Sequence, residues 1–155
     1  MRKNQNKATI PAIGEGKRGE SGHIGYLLRQ ASNAHRIRME HALAEQDVTL
    51  PQFSVLTMLA AYPGASGADL ARLSLLTPQT MSVIVGNLER AGYITRSPHA
   101  VHGRIQLIEI SDAGRELVAK CRSRVNSVEN QLLADTTPEE EAVIRRWLVR
   151  AALPK

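Results

Sequence analysis

Aromatic side chains are nearly absent: one Trp, one Phe and three Tyr in 155 residues. A core must then be built from Leu, Ile, Val, Ala and Met, a mix whose unbranched members favour helix. One cysteine, Cys121, excludes an internal disulfide framework and fits a reducing compartment. No apolar run approaches the ~18 residues that span a bilayer, and no apolar stretch follows the basic N-terminus as it would in a signal peptide. Nucleophile elbows, phosphate loops and metalloprotease spacings are missing too, so no enzyme class is indicated. The composition describes a mainly helical, cytoplasmic protein without catalytic activity, metal or cofactor.

What is present is positive charge in particular places. Residues 1–20 carry Arg2, Lys3, Lys7, Lys17 and Arg18 against Glu15 and Glu20, and residues 90–104 carry Arg90, Arg96 and Arg104 with no acid. From residue 105 onward eight basic residues balance eight acidic ones. A basic tail, a basic middle and a neutral end point to a local anionic partner. The tail, rich in Lys, Gly, Asn and Glu, reads as a disordered basic arm over 1–20, leaving 21–155 as one domain.

Helical periodicity starts at Ser21 and runs to about Gln46, with Ile24, Leu27, Leu28, Ala31, His35, Met39 and Ala42 on one stripe. Such a helix is about 39 Å long, more than one small core covers, so part of it is expected to meet a second chain. A second helix spans 51–61, with Phe53, Leu56, Leu59 and Ala60 inward, and Tyr62-Pro63-Gly64 ends it. Ser66 with Asp69 forms a capping box for a short helix to Leu73. Thr77-Pro78 starts another, stopped by Gly92 after Ala91. The period then turns β-like in Tyr93–Arg96 and Ile105–Ile110, around a tip at Ser97–Arg104. Ser111 opens a long helix to about Ala134, striped by Leu117, Cys121, Val125, Val128 and Leu132. Thr137-Pro138 opens a last one carrying Val143, Trp147, Leu148 and Ala151.

A short helix, tight turn, amphipathic helix and hairpin in that order make a winged helix-turn-helix. On the helix from Pro78, Met81, Ile84, Val85 and Leu88 form the inner face. The opposite face shows Gln79, Ser82, Val83, Gly86 and Arg90, flanked by Thr80 and Asn87. That face is small, hydrogen-bonding and free of acids, as a helix in a major groove requires. Gln79 and Asn87 suit adenine, Thr80 and Val83 suit a thymine methyl, and the Thr77-Pro78 start leaves N–H groups for a phosphate. An ordinary amphipathic surface helix satisfies the same pattern. The basic hairpin that follows, with Arg96, His99, His102 and Arg104, tips the reading toward a minor-groove contact beside it.

These segments resemble the MarR family, the multiple-antibiotic-resistance type regulators, over about residues 22–152. The likeness rests on Val48-Thr49-Leu50-Pro51-Gln52-Phe53-Ser54-Val55-Leu56, Ala68-Asp69-Leu70-Ala71, Asn87-Leu88-Glu89-Arg90-Ala91-Gly92-Tyr93-Ile94 and Leu107-Ile108-Glu109-Ile110-Ser111-Asp112-Ala113-Gly114. The resemblance implies a homodimer whose long helices (21–46 and 111–155) interlock, each subunit offering a winged-helix lobe (51–110). It also implies a pseudo-palindromic double-stranded DNA operator with half-sites ~10 bp apart. Repression, relieved by a small ligand such as an aromatic acid, is the family default, and Tyr26, His35, Met39 and Phe53 are the candidate ligand residues. A structural histidine at the dimer seam is the competing reading of His35. The competing reading of the whole is a winged helix that docks a protein or RNA.

Two departures from the family pattern carry consequences. Val83 stands where an arginine is common, which implies more apolar base readout. His102 stands where the wing usually has an Asp that steadies the arginine two residues on, here Arg104. His102→Asp is therefore expected to tighten duplex binding above pH 7 in an anisotropy titration; equal or weaker affinity would refute it. The peroxide-sensing branch places a cysteine near the start of the first helix, and this chain has none there.

Overall fold

Five helices begin where a Ser or Thr side chain takes over a free N–H group of the first turn. The computed structural model describes residues 9–98 and 106–154. Its helices are α1 (Ile24–Leu43), α2 (Leu50–Ala61), α3 (Gly67–Leu73), α4 (Pro78–Arg90), α5 (Asp112–Leu132) and α6 (Pro138–Ala152). Thr49, Ser66, Thr77, Ser111 and Thr137 cap α2 to α6 in turn. At α2, α3 and α6 the third helical residue, Gln52, Asp69 or Glu140, reaches back to the cap's own N–H. Each cap contributes about 1 kcal/mol, so the helix starts are strongly specified by local chemistry.

Helix ends are equally local. After α4 the Gly92 N–H donates to Glu89 O at 2.9 Å and the Tyr93 N–H to Leu88 O at 3.0 Å, with Gly92 left-handed at φ 78°. The turn between α3 and α4 closes the same way, through Leu75 N to Arg72 O and Leu76 N to Ala71 O. There the left-handed residue is Leu75 (φ 55°), a leucine that is 92% exposed. The sequence offers no glycine to mark that turn.

Helix α2 lies at the centre of the lobe and packs against α3, α4, α5 and β2. Its Phe53, Leu56 and Leu59 are buried as expected, but Val55 is fully buried and Ala60 is exposed. A helix enclosed on several sides is apolar beyond a single stripe, which a one-face reading underestimates. Leu70, Met81, Leu88, Ile94, Ile108, Leu117 and Cys121 complete the aliphatic core.

Strands β1 (Ile94–Pro98) and β2 (Gln106–Ile110) pair antiparallel, Ile94 opposite Ile110 and Arg96 opposite Ile108. The first strand extends two residues further than the sequence pattern suggested, with Pro98 at its outer end. One more bridge joins Leu107 to Ser66, and Ile108 N donates to Ala65 O at 3.2 Å. The wing is thereby tied to the start of α3.

By contacts the chain forms two units, Met1–Ile37 and Arg38–Lys155. In the first, the described residues 9–20 make local hydrogen bonds. Gly16–Arg18 forms a 3-10 turn; the Arg18 guanidinium donates to Pro11 O at 3.0 Å, and Gln30 of α1 donates to Arg18 O at 3.1 Å. A Cβ on Gly19 would lie 2.2 Å from Gly14 O, so only glycine permits the turn. Composition does not register such side-chain-to-backbone bonding.

Helix α6 has no buried residue, and Val143, Ile144, Trp147 and Leu148, on one side of it, are all exposed. A 15-residue helix is marginal by itself in water, so this apolar stripe calls for a covering surface. No helix among the described residues is long and apolar enough to cross a membrane.

Candidate nucleic-acid interface

The buried side of α4 consists of Met81, Ile84, Val85 and Leu88, as the periodicity implied. Gln79, Thr80, Ser82 and Arg90 are therefore turned to solvent, Gly86 and Asn87 are half-exposed, and Val83 is 60% exposed. Apolar burial on one side fixes the rotation of the helix, and this rotation presents the polar side. Its start is held by Thr77, whose Oγ1 accepts from Thr80 N at 3.1 Å and lies 2.9 Å from Thr80 Oγ1. Pro78 follows at the first helical position.

Several of these side chains already have partners. Arg90 donates through Nε to Gly86 O at 3.2 Å and through Nη2 to Asn87 Oδ1. Asn87 Oδ1 thus has one of its two lone pairs occupied by Arg90. Arg96 donates through Nε and Nη2 to a single oxygen, Glu89 Oε2, at 2.8 and 2.5 Å. Sequence reasoning grouped Arg96 with the wing tip and passed over Glu89, seven residues back across a helix stop. A cleft of about 490 Å3 runs between the start of α3, α4 and the wing, lined in part by Ser66, Pro78, Ser82, Arg96 and Ile108. His99, His102 and Arg104 lie outside the described residues.

The helix that precedes α4 is anchored electrostatically. Asp69 Oδ2 accepts from the Ser66 hydroxyl at 2.6 Å and the Ser66 N–H at 3.1 Å, while Arg72 binds its other oxygen. These bonds, that from the Ser66 hydroxyl foremost, hold the Asp69 carboxyl below its ordinary value. A carboxyl depressed by folding contributes stability above its unfolded pKa and loses it as pH falls through the folded value. Urea midpoints of wild type and Asp69→Asn should accordingly differ most near neutral pH and converge as pH falls below the ordinary carboxylate range. A gap that is constant with pH would show that the carboxylate charge is irrelevant. Elsewhere in the lobe, Arg124 of α5 pairs with Glu45 in the turn after α1 and lowers that carboxyl. Burial pushes the Cys121 thiol up, as expected for core rather than a reactive site.

Among the candidate ligand residues, Met39 and Phe53 are both members of the buried core. Tyr26 is half-buried, donates to Gln30 Oε1 at 3.3 Å and has the Arg29 guanidinium 5.9 Å from its ring centre. His35 is half-buried on α1.

A MarR family model matches residues 46–105, from the turn after α1 to the residue before β2. The HTH-type transcriptional repressor Rv2887 of Mycobacterium tuberculosis is 33% identical over 125 residues, covering 81% of this chain and 90% of that protein. The crystal structure of that MarR family protein in complex with salicylic acid superposes with a TM-score of 0.67 at 31% identity, over 86% of this chain and 98% of that one. The Staphylococcus aureus MepR–DNA complex superposes with a TM-score of 0.77 at 27% identity, over 83% of this chain and 96% of that one. One-third identity to that repressor over four-fifths of this chain, with the capped α3, amphipathic α4 and two-stranded wing seen here, places this chain in the MarR family of winged helix-turn-helix transcriptional regulators.

Proposed function

We propose that the protein is a homodimeric, sequence-specific repressor that lays α4 in the major groove of a pseudo-palindromic operator. The acid-free, solvent-facing side of α4, held in place by four buried apolar residues, carries this reading. Thr77, Pro78, Gln79, Thr80, Ser82, Val83, Asn87 and Arg90 are the groove-facing candidates, with His102 and Arg104 on the wing. The likeness to a named repressor and to a family member bound to DNA supports it. The uncovered stripe on α6 supports dimerisation, in which the segments 21–46 and 111–155 join two winged lobes of 51–110. Such a regulator acts in the cytoplasm, beside the chromosome. Because a 31% identical family member is solved with salicylic acid, a small aromatic acid is the effector class to test first.

Fluorescence anisotropy on duplexes tiling the protein's own upstream region tests the reading. Two subunits should bind one near-palindromic segment, with affinity falling steeply as salt rises, since phosphate contacts release counterions. Salicylate should then lower that affinity. Equal, weak binding to every duplex would refute sequence-specific recognition and turn attention to an RNA or protein partner.

A further inference from the structure

We propose that Arg96 is a strut rather than a DNA ligand, and that Glu89 is the positioning residue that holds it and so sets the wing against α4. The proposal rests on the groove-binding reading and assigns a role within it to a residue that does not face the groove.

Three observations converge on this pair. The first is the bond itself: Nε and Nη2 of Arg96 converge on one carboxylate oxygen, which takes up two of the guanidinium's five N–H donors. The second is strand register. Arg96 stands opposite Ile108, and directly paired residues project to the same face of a sheet. Ile108 is buried, as are Ile94 and Ile110 of the adjacent in-facing pair, so Arg96 leaves the strand on the side that meets the lobe. Thr95 and Ser97 occupy the opposite face.

The third is the rotation of α4. At about 100° per residue, Glu89 lies about 90° from the centre of the buried face and as far from the centre of the exposed face. It shares this flank with Pro78, Ser82 and Val85, which line the cleft together with Arg96. Glu89 is also the one acid in α4. On a helix meant for a polyanion an acid is costly unless it is turned aside and neutralised, and Arg96 does both. Glu89 is one residue before the last turn's Arg90, and Ile94 opens the strand only five residues later. The pair thus bridges the Gly92 turn and braces the angle at which the wing leaves the helix. Its side chains are 35% and 40% exposed, so the coupling is that of a partly screened pair.

The test is a double-variant cycle with E89Q, R96Q and the combined variant, each measured on the preferred duplex at several salt concentrations. As a strut, each single variant weakens binding about threefold to fivefold, the double variant is no weaker than either single, and the salt slopes match wild type. If Arg96 were a phosphate ligand, R96Q would flatten the slope by about 0.9 and E89Q would bind as tightly as wild type or tighter, with a steeper slope. Either result overturns the proposal. Hydrogen exchange of the DNA-free protein separates this failure from failure of the DNA reading. Amides of Thr95, Arg96 and Ile108 should exchange about threefold to fivefold faster in both E89Q and R96Q. Unchanged exchange refutes the strut even where no duplex is bound. Faster exchange supports it even if wild type binds no duplex, an outcome that removes only the groove-binding reading.

Discussion

Gly114→Ala is expected to lower the unfolding free energy by about 3 kcal/mol, although alanine is the better helix former. Gly114 is the third residue of α5 and is buried. A Cβ there would lie 2.3 Å from Tyr93 O and 2.8 Å from Ile110 Cγ1. The isoleucine can turn, but the carbonyl cannot move freely. Tyr93 O accepts from Ser111 N at 3.0 Å, Gly92 O accepts from the Ser111 hydroxyl at 2.7 Å, and that hydroxyl also caps Gly114 N at 3.1 Å. One serine therefore ties the end of α4, the root of the wing and the start of α5 into a single joint, and the missing Cβ is what lets them close. Moving Tyr93 to make room would break the cap and tilt the wing together. Gly86→Ala serves as the contrast: a Cβ there meets nothing within 4 Å, and the fold should gain roughly 0.5–1 kcal/mol. Denaturant midpoints at one fixed protein concentration measure both, since self-association of the kind proposed would make stability depend on concentration. A Gly114→Ala loss below that of an ordinary surface change would mean that the joint is plastic.

The parts of this fold that could be read from sequence are those governed by short-range chemistry. Ser66 with Asp69, Thr77 with Pro78, Ser111, and Thr137 with Glu140 each announce a helix within four residues, and each side chain makes the bond its position implies. The inner face of α4 was legible for the same reason: four apolar residues at helical spacing leave one rotation. What escaped depends on neighbours distant in sequence or on backbone choices without a residue signature. Val55 is buried because α2 is surrounded, which is a property of the packing and not of the α2 pattern. Leu75 takes a left-handed conformation normally left to glycine, so the helix-turn-helix turn could be placed but not its geometry. Ser66 was legible as a cap, but its bridge to Leu107 crosses forty-one positions. The candidate interface divides along the same line. The exposure of Gln79, Val83 and Arg90 followed from period alone, whereas the pairing of Arg96 with Glu89 required the register of the wing.

Val83→Glu is expected to weaken duplex binding by at least about thirtyfold, or about 2 kcal/mol, while leaving the fold and the oligomeric state unchanged. Val83 sits near the middle of the solvent-facing side of α4 and is 60% exposed, so little burial is lost. Glutamate is at least as good a helix former as valine, and the cap at Thr77, which bonds Thr80, is untouched by the change. The new carboxylate would face base edges rich in acceptors between two phosphate strands, and Arg90, the one basic residue of α4, is already bonded to Gly86 and Asn87. Val83→Ala, which removes only methyl groups, should cost far less, within about threefold, unless a thymine methyl packs there. The same charge change at exposed Ala60 on α2 separates a local effect from a shift in net charge, which salt screens over about 8–10 Å. Selective loss in Val83→Glu would place the middle of α4 in the groove. Full affinity in that variant, with the fold intact, would mean that DNA is read from another surface, and the whole rotation of the lobe on the duplex would have to be reassigned.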